Sequence, residues 1–310
     1  MATITGSLMN QTHAATQAPS WRDYYELTKP RVVMLMILTS VIGMLLAVPG
    51  MVPVDVLLIG NLGIALCAGS AAAVNHIVDR SVDQKMARTL NRPVAKGRVE
   101  PMQALLFALV IGVLGMTLLV VFINTLTAVL TLVSLLGYAL VYTLFLKRAT
   151  PQNIVIGGIA GAAPPLLGWT AVTGSLDGHA LLLVLIIFAW TPPHFWALAV
   201  HRKDEYAKAD IPMLPVTHGE QYTKLHIFLY TIIMILVTLL PFITGMMSWI
   251  YLIGALVLGA GFLYWSFMLM VSKREGIGMD TFKYSIVYLM ALFVVMLADH
   301  YLLPTHPLGV

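Results

Sequence analysis

Nine apolar runs, each about as long as a membrane-crossing helix, divide this sequence, at roughly 31–49, 54–76, 101–122, 125–146, 152–174, 179–201, 224–246, 248–271 and 281–303. A bilayer core is about 30 Å thick, so a helix rising ~1.5 Å per residue needs about 20 apolar residues to cross it. The bases test the count independently. Arg22, Lys29 and Arg31 precede the first run, and Arg80, Lys85, Arg88, Arg92, Lys96 and Arg98 lie between the second and third. Lys147 and Arg148 follow the fourth, Arg202, Lys203, Lys208 and Lys224 flank the sixth-to-seventh connection, and Lys273, Arg274 and Lys283 the eighth-to-ninth. These are all 18 Lys and Arg residues of the chain, and a nine-span topology puts every one on the same face. A miscounted span would scatter them over both. Because cytoplasmic loops carry the basic excess, the pattern predicts an all-α, polytopic membrane protein with nine transmembrane helices. Its N-terminus is expected in the cytoplasm and its C-terminus outside.

Composition excludes the soluble alternatives. Only 10% of the 310 residues are charged and 59% are hydrophobic, with a mean hydropathy of +0.87. Soluble domains carry about 25% charge. A soluble two-domain enzyme, a disordered scaffold and a nucleic-acid binder are ruled out, the last because the net charge is only +4. The lone Cys67 excludes an intramolecular disulfide and a cysteine-based metal cluster, and reads as a small buried apolar residue. Residues 1–20 hold no Lys or Arg, which argues against a secretory signal and an Arg-rich transit peptide, and favours a bacterial inner membrane. The expected organisation is a polar tail over 1–30, one transmembrane domain over 31–303 and an outer tail over 304–310.

Two connections are long and polar, at about 77–100 and 202–223, and both belong to the basic face. Steps of four residues align Asn75, Asp79 and Asp83 on one helical stripe leaving the membrane at the end of the second run. An amide and carboxylates on one face suit Mg²⁺, which takes one or two protein carboxylates and completes its shell with water and phosphate oxygens. Arg88 and Arg92 follow four apart, with Lys96 and Arg98 beyond. Arginine's planar fork matches phosphate oxygens. Metal ligands beside counter-charges are what a metal–diphosphate substrate requires. The competing reading is a solvated loop whose acids pair with its own bases, but that does not explain acids in step at the membrane boundary, where ionisable groups are functional candidates. The second loop holds Asp204, Glu205 and Asp210 around Tyr206. Adjacent acids cannot share a helix face, so this is a poorer metal pattern, compatible with a secondary role or with a solvated helix end.

Within the membrane, the fifth run starts at Asn153 and continues through Gly157, Gly158 and Gly161 to Pro164 and Pro165. Small residues permit close helix packing, or shape a wall for a bulky substrate. The sixth run carries Trp190-Thr-Pro192-Pro193-His194-Phe195-Trp196, where His194 is a candidate haem contact or a hydrogen-bonded structural residue and the proline pair predicts a broken backbone ladder. His201 reads as interfacial, and His76 lies off the acidic stripe.

These residues together resemble the UbiA-type intramembrane prenyltransferases. The family resemblance rests on Asn75, Asp79 and Asp83 with Thr89-Leu-Asn-Arg92-Pro93 in the expected loop. Four further blocks are similar to the haem-farnesylating branch of that family: Met86 to Pro93; Tyr142 to Asn153, including Lys147 and Arg148; Gly157-Gly158 to Trp169; and Pro193-His194-Phe195-Trp196 leading into Glu205-Tyr206 and Pro212 to Pro215. The regular second acidic motif of quinone-type relatives is absent, which puts a second three-carboxylate site in doubt.

The resemblance implies helices around a central cavity opening toward the cytoplasm, farnesyl diphosphate as donor, haem B as acceptor and Mg²⁺ as cofactor. It implies Asn75, Asp79 and Asp83 as metal and catalytic residues, and Arg88, Arg92, Lys96, Lys147 and Arg148 on the diphosphate. His194, Asn153, Asp204, Glu205, Tyr206 and Asp210 would face haem or complete the second loop. A haem A synthase or a terminal oxidase pathway would receive the product. The rivals are a prenyltransferase for a quinone precursor or other aromatic acceptor, and a haem-binding or transport protein, which would more often place charges mid-span.

Overall fold

The computed structural model describes residues 18–86, 89–139, 150–209 and 211–303, and every regular element among them is helical. Arg88, Lys147, Arg148 and Asp210 fall outside the described residues, as do the first 17 and last seven. A short amphipathic helix α1 (Trp21–Leu27) leads at a 52° bend into α2 (Pro30–Leu46). Next come α3 (Asn61–Val78), preceded by a π-helical turn over Val56–Gly60, the single turn α4 (Arg80–Asp83), and α5 (Pro101–Leu118), which runs on through a second π turn. After α6 (Thr125–Leu136) the described chain resumes with α7 (Asn153–Ala162) and α8 (Pro164–Thr173). The remainder is α9 (Gly178–His201), two short loop helices, α10 (Lys203–Lys208) and α11 (Leu214–Thr217), and three long helices, α12 (Glu220–Ile243), α13 (Trp249–Val271) and α14 (Ile277–Leu302).

Among the described residues, seven helical segments are long and apolar enough to cross a membrane, or up to eight if α1 and α2 form one bent span. The described parts of the apolar runs lie mainly on helices, and the number of candidate spans among the described residues falls short of the expected nine. The described part of the fourth run is an apolar helix over Thr125–Ala139.

Local sequence explains the ends. Pro30, Pro101 and Pro164 occupy first helical positions, where a missing N–H costs nothing. Asn124, Asp177 and Ser248 cap the next helices through their side-chain oxygens. Pro164 and Pro165 separate α7 from α8, whereas α9 continues in helical form through Pro192 and Pro193, whose missing N–H groups interrupt its hydrogen-bond ladder without ending the helix.

In lipid, apolar surface gains little from leaving its surroundings, so helices associate by close packing of small residues. Gly43 of α2 and Gly168 of α8 show this. A Cβ on Gly43 would lie 2.1 Å from the Pro165 carbonyl oxygen, and one on Gly168 would lie 2.0 Å from that of Ser40. Gly158 packs against Thr191, which makes it a contact between α7 and α9, whereas Gly161 faces open space.

The two ends of the bundle differ in chemistry. At one, α1, the α3 end, the 79–100 loop, the α9 end and the start of α14 come together: Arg98 reaches Asp23, and Gly278 lies against the Ala197 carbonyl. At the other, Asp299 accepts from Ser248 and Tyr251, while the His300 and Tyr301 side chains bond the Val48 and Leu45 carbonyls. Exposed Trp21 and Tyr25 mark the first end, and exposed Trp249 and Tyr301 the second, as aromatic belts do at membrane–water boundaries.

Candidate active site

The acidic stripe forms as the spacing predicts. The Asp79 amide bonds the Asn75 carbonyl at 2.9 Å and the Asp83 amide bonds that of Asp79 at 2.8 Å, so the helical repeat carries across the junction of α3 and α4. Asn75, Asp79 and Asp83 are only 3%, 1% and 3% exposed. Asn75 donates its amide N–H to Asp79 Oδ2 at 2.8 Å, which turns its oxygen the other way, and that oxygen accepts from the Lys29 ammonium. Lys29 comes from the α1–α2 bend, 46 residues earlier.

Asp83 is held differently. One guanidinium nitrogen of Arg92 donates to both carboxylate oxygens, each at 2.8 Å, and Thr89 Oγ1 donates to the Asp83 carbonyl at 3.1 Å. The loop is folded rather than solvated. Val94 and Val99 are buried beside Leu27 and Ala73, and Gln84 Nε2 bonds the Ala95 carbonyl at 2.9 Å. Arg98 fastens the loop to α1 through Asp23 at 2.5 Å and Glu26 at 3.2 Å. Hydrogen bonds from the Ser20 hydroxyl and then from its backbone N–H, with the Arg98 charge beyond them, outweigh burial and lower the Asp23 pKa from the ordinary carboxylate value. Lys96 is exposed and touches Asn91 at 3.4 Å, so it does not join the stripe.

The second loop packs into the bundle. Tyr206, Ala209, Ile211, Met213 and Leu214 form one apolar cluster with Met86 of the first loop and Trp196 of α9. Glu205 pairs with Arg202 at 3.4 Å and Asp204 is exposed. Asn153 is fully buried, with its N–H on the Thr150 carbonyl at 2.8 Å and its Oδ1 without a hydrogen-bond partner among the described residues. Both ring nitrogens of His76 are buried without such a partner.

His194 lies between two rings, stacked on Trp190 at 4.0 Å and on Phe282 at 4.5 Å between centroids. Its Nδ1 lies 2.6 Å from Ser285 Oγ, while the Ser285 hydroxyl donates to the Phe282 carbonyl at 2.6 Å. With that proton committed, Nδ1–H is the donor and Nε2 carries the lone pair. Trp190 Nε1 donates to the Ser285 carbonyl at 2.8 Å and fixes the same junction. Ser285 carries no motif that would have marked it in the sequence. Lys29 was visible there only as one of the topological bases, and no short-range spacing relates it to Asn75.

The donor set around Asn75 and Asp79 suits a hard cation. It offers an amide oxygen and a buried carboxylate, and a cationic group already lies against the amide oxygen. Among the described residues no group of three or more His, Cys, Asp or Glu could hold a metal ion. A metal here would therefore complete its shell with water and phosphate oxygens, as Mg²⁺ commonly does.

Residues 36–300 match the UbiA prenyltransferase family. The chain is 73% identical over 286 residues to the protoheme IX farnesyltransferase of Saccharophagus degradans, covering 92% of this chain and 94% of that one. It is 70% identical over 307 residues to the enzyme of the same name in Teredinibacter turnerae, covering 99% of each. Two solved structures share the fold. One, reported for digeranylgeranylglyceryl phosphate synthase, superposes with a TM-score of 0.77 at 17% identity over 90% of this chain and 98% of that one. The other is a UbiA homolog from Archaeoglobus fulgidus bound to GPP and Mg²⁺, with a TM-score of 0.60 at 15% identity over 88% and 99%.

Proposed function

The chain belongs to the UbiA prenyltransferase family, and we propose that it transfers the farnesyl group of farnesyl diphosphate to a vinyl group of haem B, with addition of water, to give haem O and diphosphate. The observation that carries this reading is the identity of 70% over the full length with an enzyme named for that reaction. It is a membrane prenyltransferase. Nine spans around a cavity opening toward the cytoplasm, in a bacterial inner membrane with the N-terminus inside and the C-terminus outside, are supported by the confinement of all 18 bases to one face.

The reaction breaks the C1–O bond of the donor, and diphosphate leaves with the electron pair. The allylic cation is attacked by a haem vinyl carbon, and water quenches the resulting cation with loss of a proton, leaving a hydroxyethylfarnesyl side chain. The difficult step is separating a highly anionic diphosphate from a carbocation in an apolar bundle. Asn75, Asp79 and Asp83 would hold Mg²⁺, which when bound supplies charge neutralisation for the leaving group. Arg92 would share its guanidinium between Asp83 and a phosphate oxygen, with Arg88, Lys96, Lys147 and Arg148 as further counter-charges. The buried cluster formed by Tyr206, Met213 and Leu214 supports exclusion of bulk water from the cation. Asn153 Oδ1 and Nε2 of His194 are the polar atoms we assign to the haem side, with Glu205, Asp204 and Asp210 in a secondary role at the second loop.

The test is direct. Purified protein given haem B, farnesyl diphosphate and Mg²⁺ should yield a more hydrophobic haem on reversed-phase chromatography, with the mass of the added farnesyl and water. Asp79→Asn and Asp83→Asn should abolish it while the protein remains in the membrane. Unchanged haem mass with the wild-type protein would rule out the transfer reaction.

A further inference from the structure

We propose that Lys29 is the internal counter-cation of the diphosphate site, holding the Asn75 amide oxygen until metal and diphosphate arrive together, so that the metal binds poorly without diphosphate. This rests on the metal reading of the Asn75–Asp79–Asp83 stripe given above.

Asn75 has a single acceptor oxygen. Its N–H is committed to Asp79 Oδ2, so only Oδ1 can ligate a cation, and the Lys29 ammonium is already against it. A bare dication approaching Asn75 and Asp79 meets that positive charge in a nearly water-free place. A metal–diphosphate complex does not, because its phosphate oxygens accept the ammonium's three donors as Oδ1 releases them.

The root of the side chain is fixed by the backbone. Lys29 has φ 51° and ψ 59°, the one non-glycine residue among those described with positive φ. Pro30 follows, and a proline disfavours the right-handed helical region for the residue before it. Arg98 ties α1 to the 79–100 loop on one side of the bend, through Asp23 and Glu26. A strained backbone of this kind persists where its surroundings over-determine it. The ammonium can therefore change partner by rotating about its four-carbon stem, with no movement of α1 or α2.

The full-length protein in detergent is titrated with Mn²⁺, read by electron paramagnetic resonance, with and without inorganic diphosphate. Wild type should bind Mn²⁺ weakly alone and about tenfold or more tightly with diphosphate, a normal size for coupling between two ligands. In Lys29→Met and in Lys29→Gln, which keeps a donor without the charge, Mn²⁺ alone should bind about tenfold more tightly than in wild type, and diphosphate should add little. Asp79→Asn serves as the control. If it loses Mn²⁺ while both Lys29 variants bind the metal alone as wild type does, the counter-cation assignment is overturned and the metal site stands. If Asp79→Asn binds Mn²⁺ and diphosphate as wild type does, the metal reading itself fails.

Discussion

Arg92 grips Asp83 with one guanidinium nitrogen equidistant from both carboxylate oxygens, 2.8 Å from each, and leaves the rest of its fork unspent on that partner. The pair is unequal in burial: the Asp83 side chain is 4% exposed and that of Arg92 is 23%. The acid is thus fixed inside the protein and the base reaches it from the rim, where an incoming phosphate can share it.

Removing Arg92 leaves a buried carboxylate without its counter-charge, and breaking such a pair from one side costs about 3–5 kcal/mol. Arg92→Ala should lower the midpoint of thermal unfolding in detergent and abolish haem O formation. Arg92→Lys keeps the charge but loses the planar fork. It should recover most of the stability and only part of the rate, with the loss concentrated in KM for farnesyl diphosphate. Equal recovery of both would make Arg92 a purely structural partner of Asp83.

The crossing of α2 and α8 has no room for a methyl group. Overpacking costs about 1–3 kcal/mol where neighbours can shift, and here the obstacles are the backbone carbonyls of Pro165 and Ser40, which cannot rotate aside. Gly43→Ala and Gly168→Ala should each lower thermal stability by at least that amount. Gly161→Ala, whose added methyl meets open space, should leave it unchanged.

Asp23 gives a pH dependence with a definite sign. Its folded pKa lies below the ordinary carboxylate value, mainly through the Ser20 hydroxyl. The linked stability is therefore fully present above the unfolded pKa, about 4 for an aspartate, and is lost as pH falls through the folded value. Asp23→Asn should remove that part of the acid destabilisation, and wild type and variant should converge in unfolding midpoint at low pH. Salt should weaken the partly exposed Arg98 contacts in wild type.

How much of this was legible in sequence follows from the range of the interactions. The stripe of Asn75, Asp79 and Asp83 repeats every four residues, a local rule, and α3 runs into α4 without losing that repeat. The long apolar helices were legible for the same reason, since each satisfies its own backbone, although the described residues hold seven candidate spans, or up to eight, rather than nine. Lys29 and Ser285 were not. Lys29 meets Asn75 across 46 residues and Ser285 meets His194 across 91, and neither distance leaves a periodicity to read. The prolines at 192 and 193 were legible as gaps in the ladder, but not in their effect on the helix's course. Their missing N–H groups remove two ladder bonds, yet the 24-residue helix keeps its course.

The sandwich around His194 fixes what the imidazole can do. Trp190 and Phe282 cover its two faces, so nothing large can stack there, and Nδ1–H is given to Ser285. What remains is Nε2 with its lone pair, which makes no hydrogen bond among the described residues. A neutral imidazole presenting one nitrogen, with the tautomer set by a hydrogen bond on the other, is the arrangement that ligates iron. Haem B bound to the wild-type protein should show a low-spin or imidazole-ligated visible spectrum, which His194→Ala should lose and added imidazole should restore. Ser285→Ala removes the acceptor for Nδ1–H without touching haem. It should keep ligation but shift the spectrum and the reduction potential, because the ligand's basicity depends on that hydrogen bond. A structural histidine predicts the opposite pattern: lower stability in both variants, the same haem spectrum as wild type and no response to imidazole.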